Sequence, residues 1–300
     1  MRRLAWLALL VGCEMQPVAV DTLAAPDAPV ALDAALTPCC VESHFASFPI
    51  PSTPGEGLPH EAHYTVMPAR VHDDITGLTW QRRTDGVRRT LDEAETYCEA
   101  LELEGQGDFH LPTRIELMTL LELARSPTVD PALVPTDPEY HWTSSRYAAR
   151  PTSAFSIYFG AGAVDLGRGE NRSALARCVA RPESELEALG PTIEGAFAQD
   201  AATGLRWMRA TLPASTYVEA EDACIREGMS MPTLRELAST LDDARTAPAF
   251  NADVFAPEAG PTWTRTRTTA REERWILDTN DGRSRPLSES ELARVRCVIR

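Results

Sequence analysis

Apolar positions recur along this chain at two spacings, and the same succession of spacings occurs twice. Leu78 and Trp80 fall on one side of a short alternating segment, with Thr79 and Gln81 on the other, as in a half-buried strand. Leu205 and Trp207 repeat that alternation. Leu91, Ala94, Cys98 and Leu101 then share one helical face, opened by a capping box of Thr90 and Glu93. Thr216 and Glu219 form the matching box. A second helix is predicted after Pro112, capped by Thr113 and Glu116, with Ile115, Met118 and Leu121 as its buried stripe. Its counterpart is capped by Thr233 and Glu236 and carries Leu234, Leu237 and Leu241. Pro127, Pro131, Pro135 and Pro138 enforce an irregular loop after the first of these. Strands are predicted next over 141–145, 154–159 and 175–179, and again over 262–266, 274–279 and 294–299. Two helices followed by several short strands is an α+β plan.

The residues themselves repeat in the same order. Asp73-Asp74-Ile75-Thr76-Gly77-Leu78-Thr79-Trp80 returns as Asp200-Ala201-Ala202-Thr203-Gly204-Leu205-Arg206-Trp207. Leu111-Pro112-Thr113-Arg114-Ile115-Glu116-Leu117 returns as Met231-Pro232-Thr233-Leu234-Arg235-Glu236-Leu237. Trp142-Thr143-Ser144-Ser145 returns as Trp263-Thr264-Arg265-Thr266, and Arg177-Cys178-Val179 as Arg296-Cys297-Val298. Such order implies two tandem copies of one domain, expected at 70–181 and 195–300.

The remaining length has a different character. Arg2 and Arg3 precede a short apolar run, Leu4 to Val11, too short for a membrane span. The run ends in Leu10-Val11-Gly12-Cys13, similar to the lipobox of bacterial lipoproteins. The expectation is a signal peptide over 1–12, acylation of Cys13, and export to a lipid-anchored position at the cell envelope, at the outer membrane or cell surface. The stretch 13–69 is rich in Pro and Ala and reads as a tether. His60 and His63 lie there, with Cys39, Cys40 and His44 upstream. Their spacing is not that of a metalloprotease helix, so no metal site is expected.

Charge and cysteines narrow the functional class. The net charge of −15 is spread as −5 through residue 69, −4 over 70–181 and −6 over 182–300, which argues against nucleic-acid partners. All 29 basic residues are arginine. Cys98 and Cys178 in the first copy match Cys224 and Cys297 in the second, which argues for one disulfide per copy in an oxidising compartment. Closing a loop of that length contributes about 4 kcal/mol in the chain-entropy view. No nucleophile elbow, phosphate-binding loop or dinucleotide turn occurs, so no enzyme activity and no cofactor are expected.

The combination Thr-Gly-Leu-x-Trp, Glu-Ala-x-x-Tyr-Cys, Leu-Pro-Thr-Arg-x-Glu-Leu, Trp-Thr-Ser-Ser and Arg-Cys-Val resembles the bacterial Lcl C-terminal domain family. The first copy matches from about Asp73 to Arg181; the second diverges, with Trp263-Thr264-Arg265-Thr266 in place of Trp-Thr-Ser-Ser. The resemblance implies exported proteins, often lipoproteins or adhesin tips, with a founding member that binds sulfated polysaccharides. A disulfide from the first helix to the last strand is similar to the C-type-lectin-like plan. Two tandem lectin-like domains are therefore expected, each with two helices and a small antiparallel sheet stapled by one disulfide. The calcium-binding Glu-Pro-Asn and Gln-Pro-Asp triplets of sugar-binding C-type lectins are absent, and Asp108-Phe109-His110 stands where the family has Asp-Trp-Arg. The acidic balance also runs against sulfated glycans.

Candidate ligand residues follow. Trp142, Ser144 and Ser145 combine an aromatic ring with hydroxyls, and the competing reading packs Trp142 into the core. Asn171 and Arg172 precede the last strand. Arg265 and Arg267 share a strand face within the one basic run. The functional expectation is a non-catalytic surface protein that binds an extracellular or envelope polysaccharide or a protein partner. The alternatives are a structural envelope component and a divergent enzyme on a lectin-like fold.

Overall fold

A computed structural model describes residues 46–123, 125, 128–133, 137–167, 172–181 and 190–300. Cys13, Cys39, Cys40 and Asn171 lie outside the described residues.

Each copy opens on a small antiparallel sheet. In copy 1, β1 (Tyr64–Val66), β2 (Arg70–Asp73) and β3 (Thr79–Gln81) are joined by the last strand, β7 (Val179–Ala180), in the order β1-β2-β3-β7. Between them lie helix α1 (Leu91–Glu99), the short helix α2 (Arg114–Met118) and the meander β4 (Tyr140–Tyr147), β5 (Arg150–Tyr158) and β6 (Ala163–Leu166). Copy 2 repeats the plan. Strands β8 (Thr192–Glu194), β9 (Phe197–Gln199) and β10 (Arg206–Met208) pair with β16 (Val298–Ile299). Strand β11 (Leu212–Ser215), helices α3 (Tyr217–Arg226) and α4 (Leu234–Ala238), and strands β12 (Pro261–Arg267), β13 (Glu273–Asp278), β14 (Arg283–Ser288) and β15 (Ala293–Val295) complete it. Disulfides join Cys98 to Cys178 and Cys224 to Cys297, so each ties the first helix of a copy to the segment leading into its closing strand.

The helices start where their capping boxes stand. Thr90, Thr113, Thr216 and Thr233 are the N-caps, and the glutamate three residues on returns a bond to each cap's N–H. The second helix of each copy is shorter than its apolar stripe suggests. Thr119 and Thr240 turn their hydroxyls onto the carbonyls of Glu116 and Leu237, and tight turns deliver Leu121 and Leu241 to the core. The closing strands are broken: Ala174 and Leu175 make single bridges to Arg89 and His141 before β7 forms. Strands β1, β2 and β6 of copy 1, and β8, β9, β11 and β14 of copy 2, are additional to the predicted set.

The tether expected through residue 69 is corrected from Ala46 onward. Ala46, Phe48 and Ile50 are buried in a core shared with Trp80, Leu117, Leu205 and Trp207. The prolines keep this strap extended, and its apolar side chains, spaced two apart, enter the core. A pair of bonds between Ser52 and the His60–Ala62 stretch folds it back before β1 begins.

The two copies are packed together within one compact unit that spans 41–300. Arg114 of copy 1 pairs with Asp243 of copy 2, donates to the Gly282 carbonyl at 2.9 Å and lies 4.0 Å over the Phe155 ring. Arg235 of copy 2 donates to the Thr119 carbonyl at 2.7 Å, to Glu122 at 3.2 Å and to Thr53 of the strap at 3.0 Å. The Val164 N–H of β6 donates to Ser284 of β14 at 3.2 Å. The Arg235–Glu122 pair is almost fully buried, with side chains 7% and 6% exposed.

Candidate functional site

The repeated motifs are accounted for by backbone bonding. Asp73 accepts from the N–H groups of Ile75 and Thr76, and Thr76 accepts from that of Leu78. Asp200 and Thr203 do the same for Ala202, Thr203 and Leu205. This turn carries Gly77 at φ 74° and Gly204 at φ 73°, a left-handed conformation that glycine, having no Cβ, adopts at little cost. Burial raises both aspartates above the usual carboxylate range, and the turn's own donors oppose that rise.

The arginine before the second cysteine is a buried clamp. Arg177 donates to the carbonyls of Gln81 and Arg82, each at 2.8 Å; Arg296 donates to those of Met208, at 3.1 Å, and Arg209. Burial lowers Arg177 to about 10 and Arg296 to about 9. The glutamate of each second-helix box receives a terminal arginine: Arg181 reaches Glu116 at 2.7 Å, and Arg300 reaches Glu236 at 2.6 Å. Burial alone would raise Glu116, but His110 and Arg181 bring it down to about 2.

The Trp-Thr-x-Ser/Thr motif is likewise a fastener. The Trp142 indole donates to the Arg89 carbonyl at 2.8 Å and that of Trp263 to the Ser215 carbonyl at 2.9 Å. Thr143 and Thr264 donate to the carbonyls of Phe155 and Trp275 on the neighbouring strand. Ser145 and Thr266 accept the first N–H of α2 and α4, from Arg114 at 2.8 Å and Leu234 at 2.9 Å. Two candidate ligand residues, Trp142 and Ser145, are thus engaged internally. Both are buried, Trp142 being 3% exposed. Ser144 is half-buried, and its N–H donates to the Pro112 carbonyl.

Beside Trp142, copy 1 opens into a cavity of about 440 Å³. Leu91, Trp142, Ala154 and Gly167 lie at its apolar side; Thr90, Asp92, Arg146, Thr152 and Arg172 supply polar groups. Arg146 is held by Glu95 at 2.7 Å, and Arg172 lies 5.5 Å from the Tyr140 ring centre. Gly167 is required here, because a Cβ would stand 2.2 Å from the Trp142 ring. Arg172 and Trp142 are therefore the two candidates that the fold brings together. Arg265 and Arg267 lie on β12 of the other copy. Their side chains make no ion pair among the described residues, and Arg267 borders a smaller cleft beside Thr233 and Arg235.

Register identifies the equivalent place in copy 2. Trp142 pairs with Ser156 and Trp263 with Ile276, so Ala154 corresponds to Arg274. Gly167 donates to the Ala154 carbonyl and Leu287 pairs with Arg274, so Gly167 corresponds to Leu287. The residue after the cap, Leu91, corresponds to Tyr217. Tyr217 stands edge-on to Trp263 at 5.8 Å, and Arg274 lies 4.4 Å over the Tyr217 ring. Trp263 is 0% exposed. Burial pushes the Tyr217 phenol up to about 12. Leu91, Ala154, Gly167 and Arg146 were not among the sequence candidates. For Leu91, Ala154 and Gly167 the signal is the pairwise difference between the copies, small residues in one and large in the other; Arg146 has Arg267 as its counterpart.

The model of the Lcl C-terminal domain matches this chain at residues 69–180 and again at 196–299. The chain belongs to the Lcl C-terminal domain family. Each match begins just before β2 or β9, so in this Lcl C-terminal pair β1 and β8 are strands added ahead of the matched regions. No curated protein matches the chain.

Proposed function

We propose that this is a non-catalytic binding protein of the bacterial cell envelope, lipid-anchored through Cys13, whose copy 1 takes a saccharide unit of an extracellular or envelope polysaccharide. The observation that carries the reading is the cavity beside Trp142, open in copy 1 and filled in copy 2. Its volume lies in the range of small-ligand sites, roughly 300–1,000 Å³. A sugar ring has apolar C–H faces and a rim of hydroxyls. An apolar floor with guanidinium donors from Arg146 and Arg172 and an Asp92 acceptor matches both parts. The link from first helix to closing strand supports a C-type-lectin-like reading of each copy. Disulfide bonding of Cys98, Cys178, Cys224 and Cys297 leaves none of them as a thiol nucleophile, which supports a role in binding.

A glycan array probed with mature protein tests this. Leu91→Tyr with Ala154→Arg, the residues of copy 2, should abolish the signal, while Arg265→Ala with Arg267→Ala should leave it intact. Retained binding in the first variant, or loss in the second, removes the Trp142 cavity as the site. Transfer of label from a fatty-acid analogue, lost in Cys13→Ser, tests the anchor.

A further inference from the structure

We propose that copy 2 holds a second site of the same class in a closed state, shut by the side chain of Arg274. The proposal rests on reading the Trp142 cavity as a saccharide site. The frame around Trp263 is that of Trp142: the indole bond to the segment before the first helix, the threonine bond to the next strand and the hydroxyl at the second helix are all present. The backbone pairing that would form the walls is also present. Among the described residues, bulkier side chains at three positions make the difference.

The three replacements are not equally fixed. Tyr217 and Leu287 are buried and belong to the copy 2 core around Cys224 and Cys297. Arg274 reaches the region from β13 on a long, rotatable arm and is half-buried. Its Nε lies 2.8 Å from Glu289, whose side chain is 26% exposed. That nitrogen nevertheless has no aligned hydrogen bond. An ion pair of poor alignment is a weak latch, and the face of Tyr217 is its other hold. Turned away from Tyr217, the same guanidinium would be a donor of the kind that Arg146 and Arg172 supply in copy 1. The closed state makes the chain monovalent, although it carries two copies of the domain.

The test uses the full mature chain. Acrylamide quenching of Trp263 is read as the difference between each protein and its Trp263→Phe partner. Arg274→Ala should raise that quenching severalfold while the near-UV dichroism is retained; a Trp263 as protected as in the wild type overturns the proposal. Calorimetry with hyaluronan and chitin tetrasaccharides as probes gives the second arm. One binding equivalent per wild-type chain should become two in Tyr217→Leu/Arg274→Ala/Leu287→Gly. One equivalent in a folded triple variant overturns the closed site but leaves the Trp142 reading standing. Two equivalents in the wild type also overturn it. No binding to any protein by either probe, with Trp263 still exposed by Arg274→Ala, counts against the Trp142 reading and supports the occlusion.

Discussion

Trp142 and Trp263 occupy the same place in two copies of one domain, with the same indole bond, yet one borders an open cavity and the other is sealed. The bonds that set each tryptophan, each second helix and each Thr-Gly turn are duplicated almost one for one. What differs is the bulk beside the ring: Leu91, Ala154 and Gly167 against Tyr217, Arg274 and Leu287. The family motifs are therefore requirements of folding, and the residues that open or fill the space beside the tryptophan lie between them, where the copies part.

The sharpest way to break this comparison is to remove one staple at a time. Replacing Cys98 and Cys178 by alanine should cost about 4 kcal/mol, and replacing Cys224 and Cys297 should cost nearly the same, read by urea denaturation. On the proposed saccharide reading, binding should suffer only in the first pair, because α1 lines the cavity of copy 1. A difference of more than twofold between the two costs would show that the copies are not equivalent as scaffolds.

Next comes the joint between them. Arg235→Met leaves Glu122 buried without its cation and should destabilise the protein by about 4 kcal/mol. The companion Arg235→Met/Glu122→Leu should recover much of that loss, read as a coupling energy in a double-mutant cycle.

Acid gives a smaller effect, centred on Glu116 of copy 1. Glu116 sits at about 2 in the folded protein against 4.5 as its ordinary value. Its contribution, about 3 kcal/mol, is full above pH ~4.5 and is lost as pH falls toward 2. Denaturation midpoints followed from pH 6 to pH 2 should show this fall, and Glu116→Gln should flatten it.

The smallest effect is the most symmetrical. Gly77→Ala and Gly204→Ala should each cost about 1 kcal/mol, since both impose a side chain on a left-handed turn. Unequal thermal shifts would mean that one turn relaxes where the other does not.

Much of the scaffold was legible because it is local. A capping box needs four consecutive residues, and all of the boxes at Thr90, Thr113, Thr216 and Thr233 form. The cysteine pairs were legible because the repeat places them twice. The strap was not: its prolines resemble those of a linker, and only burial of Phe48 and Ile50 by both copies distinguishes them. Strands β1, β2, β6, β8, β9, β11 and β14 are three to six residues long, too short for an alternation to stand out. The cavity was half legible. Trp142 and Arg172 were candidates, but the apparent opportunity at Arg265 and Arg267 lies away from it, on the other copy. Ala154 and Gly167 carry no chemistry that a motif would flag, since their contribution is the room they leave.

The meeting of Thr53, Thr119, Glu122 and Arg235 has a consequence for how this protein can be divided. A cut between the copies would wet Leu121 and Val164, part Glu122 from Arg235 and unseat the leading strap in one stroke. Duplication has here yielded a single indivisible body, in which neither half is a spare.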